Sequence, residues 1–292
     1  ITGLKNQSKA NRAAKGNASH HSPLTTHTMK LPIYQVDAFT DHLFGGNPAA
    51  VVPLQTWLPD ETMQLIAREN NLAETAFFVP LEDPDQFHIR WFTPTIEVQL
   101  CGHATLATAY VVFNCLKINQ SDQVSFQSKS GWLLVSRRDD LLTLDFPVDH
   151  LKSAVLPEAA REGLNILPEA VWMGREDYLL LYRSEAEVLA LQPDFRSLAK
   201  EPVRGFIATA PGDHSDFVSR CFFPASGIDE DPVTGSAHTT LTPFWAEKTG
   251  KTTFSAIQVS ERRGYLQCSL EGERVLIAGK GKLYLEGHFF RG

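Results

Sequence analysis

One stretch of the chain occurs twice, and the recurrence restricts it to folds that can be built from two matching parts. Phe92-Thr93-Pro94 leads into Cys101-Gly102-His103-Ala104-Thr105, and Phe222-Phe223-Pro224 leads into Asp231-Pro232-Val233-Thr234-Gly235-Ser236-Ala237. At a spacing of 130 residues, Phe87, Arg90, Phe92 and Pro94 fall on Phe217, Arg220, Phe222 and Pro224, and Cys101 falls on Asp231. In each copy a strand passes a proline turn and a polar, glycine-bearing loop, then opens an apolar helical run, 104–116 in the first and 237–246 in the second. The first N–H groups of a helix lack intrahelical partners and carry partial positive charge, so each loop is suited to a carboxylate ligand or a thiolate. Two such helix starts, facing each other, would frame one pocket.

Length and composition agree with this plan, since 292 residues of which 43% are apolar and 21% charged are enough for about two domains with proper cores. Residues 1–28 stand apart: they carry Lys5, Lys9, Arg12 and Lys15, no acid, and many Ser, Thr, Asn and His residues. They read as an added or upstream-translated leader, with a transit peptide as the alternative. Without them, 23 basic residues face 34 acidic ones, a net charge of −11 over 29–292, which argues against nucleic acid or an anionic membrane as partner. No stretch is apolar for long enough to span a bilayer. Cys101, Cys115, Cys221 and Cys268 have no paired zinc or redox spacing, and reduced thiols in a cytoplasmic protein are the simplest reading.

In order along the chain, strands are predicted over 33–39 and 49–53, a helix from Pro59-Asp60-Glu61 to Asn70-Asn71, and strands over 75–79 and 87–92. The run after Cys101 is apolar almost all round, and a helix without a polar face must be enclosed by other elements. Strands over 124–127, 132–137 and 141–146 close the first half, and Pro147-Val148-Asp149 marks the crossing. The second half repeats the plan with strands over 170–173, 178–182, 203–209 and 217–223, a short helix over 184–191, and later strands over 257–260, 265–270, 275–278 and 283–285. Pro243 lies inside the second central helix and is expected to kink or shorten it.

Four places carry candidate chemistry. Gly46-Asn47-Pro48 could present backbone N–H groups and an amide to a ligand, or could simply form a turn. Glu74, between Leu72-Ala73 and Ala76-Phe77-Phe78, is in an apolar setting that raises a carboxyl pKa and makes a usable general acid or base; an ordinary ion pair, for instance with Arg90, is equally cheap. Cys101 and His103 invite a nucleophile–base reading, yet residues two apart at a helix start need not meet, and packing and turn formation account for Cys-Gly-His as well. Glu230-Asp231 could cap the following turn, with Ser236 capping next. The repeat lifts the set above these readings, because matching halves bring equivalent loops together across a cleft. No metal-ligand cluster, phosphate loop or dinucleotide fingerprint is present in the sequence.

Across residues 29–292 the motifs Asp37-Ala38-Phe39, Gly46-Asn47-Pro48-Ala49-Ala50-Val51, Asn71-Leu72-Ala73-Glu74-Thr75-Ala76-Phe77, Arg90-Trp91-Phe92-Thr93-Pro94, Cys101-Gly102-His103-Ala104-Thr105 and Glu230-Asp231-Pro232-Val233-Thr234-Gly235-Ser236-Ala237-His238 resemble the phenazine-biosynthesis PhzF-like isomerases, and most closely their MAWD-binding-protein branch. The resemblance implies an α+β, diaminopimelate epimerase-like fold of two pseudo-symmetric domains, each a barrel-like mixed or antiparallel sheet around a central helix. They would span 29–146 and 147–292, with a last strand over 281–290 returning to the first. It implies an active site between the domains, no cofactor, no metal, a small carboxylate-bearing substrate and a homodimer.

By the same resemblance Glu74 matches the family's proton-transferring glutamate, His103 and Asp231 match the residues that surround the reacting ring, and Gly102, Gly235 and Ser236 match substrate-binding positions. Asn47 joins the substrate contacts through its loop. Cys101 is ambiguous: epimerases of this fold use a cysteine there as one of two opposed bases, but here the opposed position is Asp231 and the thiol pair is absent. The reading that results is a cofactor-independent isomerase with Glu74 as general acid/base. The alternative is a protein-interaction module of the MAWD-binding type, its cleft residues kept for other reasons.

Overall fold

The computed structural model describes residues 29–291, so the leader expected over 1–28 lies outside the described residues. Nearly every predicted strand is present within a few residues of its expected ends, and the two halves use them in the same order. In the first, Asn47–Pro53 runs parallel to Glu74–Pro80, which pairs antiparallel with Gln86–Phe92. That strand runs parallel to Gln123–Ser128, and Gly131–Arg138 and Leu141–Pro147 follow as an antiparallel meander. In the second, Asp177–Leu181 is parallel to Gly205–Pro211, and Phe217–Phe223, Thr253–Gln258, Gly264–Glu271 and Arg274–Gly279 repeat the same senses. The two meanders meet edge to edge, with Leu141–Pro147 antiparallel to Arg274–Gly279. The last strand, Gly281–Arg291, leaves the second run and pairs antiparallel with the first strand, Met29–Ala38.

The first central helix, Gly102–Tyr110, is buried along almost its whole length and continues as a π-helical turn, Val111–Leu116. Small residues let strands pack closely around it, and its buried hydroxyls are satisfied within the helix: Thr105 Oγ1 donates to the Cys101 carbonyl and Thr108 Oγ1 to that of Ala104. The second, His238–Thr249, corrects an expectation. Pro243 does not shorten it; the helix runs on to Thr249 and ends at Gly250 in the left-handed conformation (φ 73°). Proline removes the N–H that would reach the Thr239 carbonyl, and the Asp149 N–H, from the segment joining the halves, takes that carbonyl instead at 3.1 Å. The short helix expected over 184–191 is Glu185–Leu189, capped by Ser184 Oγ, which accepts from the Glu187 N–H. Helices Glu158–Gly163 and Phe195–Leu198 were not foreseen, being too short to show a period.

One apolar core runs through both halves, from Phe39, Trp91 and Leu144 to Phe217, Trp245 and Ile277. The architecture is α+β and dominated by its sheet. All four cysteines are free thiols. Among the described residues no helix is long and apolar enough to cross a membrane.

Candidate active site

The two helix starts meet. A Cβ built on Gly102 would lie 3.5 Å from Gly235 Cα, and one on Gly235 would lie 3.6 Å from Gly102 Cα. Both are ordinary van der Waals distances, so the two glycine backbones lie in close apposition. Beside this contact lies a cleft of about 200 Å³, lined by Glu74, Cys101, Gly102, His103, Asp231, Gly235 and Ser236. Ile96, Val98, Leu100, Phe223 and Ile228 add apolar surface to its lining. Cys101 precedes the first helix and makes no capping hydrogen bond through its side chain, so it leaves the helix's leading N–H groups to other partners.

Glu74 opens a strand whose parallel register sets it opposite Ala49, and that places its carboxylate over the first helix start. Its Oε2 lies 3.1 Å from His103 Nε2. With the imidazole protonated this is a buried ion pair, although neither atom meets hydrogen-bond geometry. Both groups line the cleft, so the bonding capacity their mutual contact leaves unused is open to a ligand's polar groups. The ion pair weighed for Glu74 is made with His103 and not with Arg90. Arg90 instead grips Glu97 through Nε and Nη2, each at 2.8 Å, and Arg220 grips Glu230 in the same way.

Asn47 is wholly buried behind the cleft wall and does not line the cavity. Its Nδ2 donates to Asp231 Oδ1 at 2.7 Å and to the Val233 carbonyl at 3.0 Å, and lies 3.2 Å from His103 Nδ1. It thus ties the residues of the two helix starts together. Gly46 delivers it: the backbone there has φ 60°, and a Cβ would meet the Ala38 carbonyl oxygen at 2.1 Å, so only glycine fits. From the second half, Arg262 Nε and Nη2 donate to the carbonyls of Gly46 and Gly45, and Nη2 also reaches the buried Asp37.

Burial pushes the Cys101 thiol up to about 11, and the Glu74 charge adds to the rise. Burial alone would lower His103; Cys101 and Glu74 oppose it and prevail, so the imidazole titrates well above its usual range. A thiol that is protonated below about 11 carries no charge at neutral pH, so the group that holds the imidazolium is Glu74. Burial also raises Asp231 to about 6; Glu74 reinforces that rise, while His103, Thr234 and Asn47 oppose it. Thr234 Oγ1 donates to Asp231 Oδ2 at 2.5 Å, and Gln258 Nε2 to the Asp231 carbonyl at 2.7 Å.

Sequence reasoning missed Arg204, Thr234 and Gln258. Arg204 lines the cleft but is held by Asp177, which lies far from every motif in sequence. Glu74, Cys101 and His103 bring potential metal-ligand atoms within 4.8 Å of one another. Cys101, however, sits 3.6 Å from Nδ1 and Glu74 3.1 Å from Nε2, opposite edges of one imidazole, and the three do not converge on a single point. A larger groove of about 510 Å³ near Asp41, Tyr265 and Lys280 contains none of these residues.

Residues 36–287 match the sequence profile of the PhzC-PhzF family, the phenazine biosynthesis-like proteins. An uncharacterised isomerase of Pseudomonas aeruginosa is 50% identical over 259 residues, covering 89% of this chain and 98% of that protein. The crystal structure of a PhzF family protein from Enterococcus faecalis superposes with a TM-score of 0.86 at 44% identity, covering 89% of this chain and 99% of that one. A hydroxyproline epimerase from Agrobacterium vitis, 11% identical, shares the fold with a TM-score of 0.58 over 89% of this chain and 92% of its own. The chain belongs to the phenazine biosynthesis-like family, has the epimerase fold, and is an isomerase by class.

Proposed function

We propose that this family member moves a proton between positions of a small carboxylate-bearing molecule, with Glu74 as the general acid/base, His103 and Asp231 completing the acid–base set, and the two helix starts holding the substrate's anion. The observation that carries this reading is the buried, close charge pair Glu74 Oε2 and His103 Nε2, lining a cleft where the two helix starts meet. A carboxylate placed at Gly102, Gly235 and Ser236 meets N–H and O–H donors and the positive ends of both helices. Its neighbouring carbon then lies on the side of Glu74. Glu74 takes the proton from that carbon, the imidazolium and the helix starts stabilise the negative charge that develops, and Glu74 returns the proton to a second carbon. Cys101 is a poor base here, since its thiol is held protonated up to about 11.

The test is a screen of small cyclic and amino carboxylates in heavy water without added cofactor, read by proton NMR. Exchange or isomerisation of one carbon-bound hydrogen that is lost in Glu74→Gln supports the reading. Turnover that survives undiminished in Glu74→Gln overturns it.

A further inference from the structure

Arg204 is the basic residue that lines the cleft alongside His103, and the fold fixes it on several sides. It immediately precedes Gly205–Pro211, and the parallel register pairs Asp177 with Gly205, so arginine and aspartate start adjacent strands side by side. Asp177 is 2% exposed and accepts from both Nε and Nη2 of the guanidinium. Arg204's own N–H donates to the Glu176 carbonyl at 3.0 Å, and its guanidinium carbon lies 5.3 Å from the centre of the Phe223 ring. The remaining arm, Nη1, donates to Ser236 Oγ at 3.2 Å and lies 3.6 Å from Glu176 Oε2.

That last bond determines what Ser236 can do. A guanidinium has no acceptor and does not lose its proton, so the serine oxygen must be the acceptor in this pair. Its own hydrogen is then free for another group, with one oxygen lone pair left over. The N–H groups of His238, Thr239 and Thr240 are taken by the carbonyls of Gly235, Ser236 and Ala237, so what this end offers a ligand is chiefly the Ser236 hydroxyl hydrogen beside the positive charge of Arg204. An anionic group whose oxygens only accept makes fuller use of that hydrogen and charge than a neutral group that brings donors of its own. Arg204 and Ser236 also line, together with Leu100, a second cavity of about 90 Å³ that adjoins the cleft, so the pair forms the wall between the two spaces.

We propose that Arg204 is a specificity-determining residue that orients the Ser236 hydroxyl towards donating and sets a positive charge beside it, and so makes this end of the cleft favour a carboxylate over a carboxamide. The proposal rests on the cleft being the substrate site but does not depend on which residue moves the proton. Benzoate and benzamide serve as probes, with binding to the purified full chain read by calorimetry and by NMR shifts near pH 7. Wild type is expected to prefer benzoate by at least about tenfold, the scale of one hydrogen bond to a charged group. Ser236→Ala and Arg204→Met should each reduce that preference to within about threefold. Because Arg204→Met leaves Asp177 buried without its partner, Arg204→Met combined with Asp177→Asn should show the same loss in a chain that melts like wild type. Glu74→Gln should keep the preference even though proton exchange is lost, which separates the two ideas. Equal binding of both probes by wild type, no binding of benzoate, or an unchanged preference in Ser236→Ala or in the folded double variant would overturn the proposal.

Discussion

Leu144 pairs with Ile277 across the seam where the two meanders meet. Within its own hairpin Leu144 pairs with Val135, and Ile277 pairs with Cys268 in the equivalent place, the same shift of 133 residues in both cases. The seam therefore joins equivalent positions, as a local twofold axis requires. Both side chains are fully buried in the shared core. Replacing either by alanine is expected to cost about 2–5 kcal/mol, and the pair should be coupled by more than about 0.5 kcal/mol because the two sites are in contact. Urea unfolding of the two single variants and the double variant measures this. Strict additivity would show that the seam does not transmit packing between the halves.

Pro243 offers a second test. In an exposed helix interior, replacing proline by alanine is worth about 3 kcal/mol. Here the Thr239 carbonyl that proline leaves free already accepts from the Asp149 N–H, and Thr240 Oγ1 donates to Asp149 Oδ2. Restoring an N–H at position 243 would compete with that bond and loosen the segment joining the halves. Pro243→Ala should therefore stabilise the chain by well under about 1 kcal/mol in denaturant titration. A gain close to the full helix value would mean that the Asp149 contact adds nothing.

These two sites show what the sequence could reveal and what it could not. The strands, both central helices and the pairing of Cys101 with Asp231 in matching loops were legible, because apolar period, proline turns and the repeat all act over short spans. Glu74, His103 and Asp231 come together as their motifs implied. The site of Asn47 behind the wall was not legible, since its partners Asp231 and Val233 lie more than 180 residues away and only the folded register brings them close. Arg204 was missed for the same reason: its meaning depends on a parallel pairing with the strand that begins at Asp177. Pro243 misled because a helix-breaking signal is local, while the donor that compensates it comes from another segment.

The Asp231 carboxyl, raised to about 6 from an ordinary 3.8, gives a pH-dependent stability. Between those values the folded chain holds a proton that the unfolded chain has released, so stability falls as pH rises through that window. The total is about 3 kcal/mol for a fully buried group. Asp231→Asn removes this titration. Relative to wild type, the variant should gain up to about 3 kcal/mol between roughly pH 4 and pH 7, measured by urea unfolding at each pH. A difference that stays flat across that range would mean Asp231 titrates normally in the folded protein.

The last expectation concerns which group moves the proton. A two-base epimerase collects a solvent proton on the opposite face, so its product gains deuterium from heavy water and its rate collapses when either base is removed. A single shuttling carboxylate returns part of the hydrogen it removed whenever transfer outruns exchange with water, and the buried pair Glu74–His103 is well shielded for that. Removing a positioned acid–base group commonly costs about 10²–10⁴-fold in rate. Glu74→Gln should fall in that range or lower. Cys101→Ala should lose far less, because the thiol it removes is protonated at working pH and its cleft partner is the carboxylate Asp231, not a second thiol. With a turnover assay established by the heavy-water screen, the rates of the two variants and the deuterium count in the product are the measurement. Full solvent deuterium at an inverted carbon, together with loss of activity in Cys101→Ala, would make Cys101 a base and remove the shuttle from Glu74.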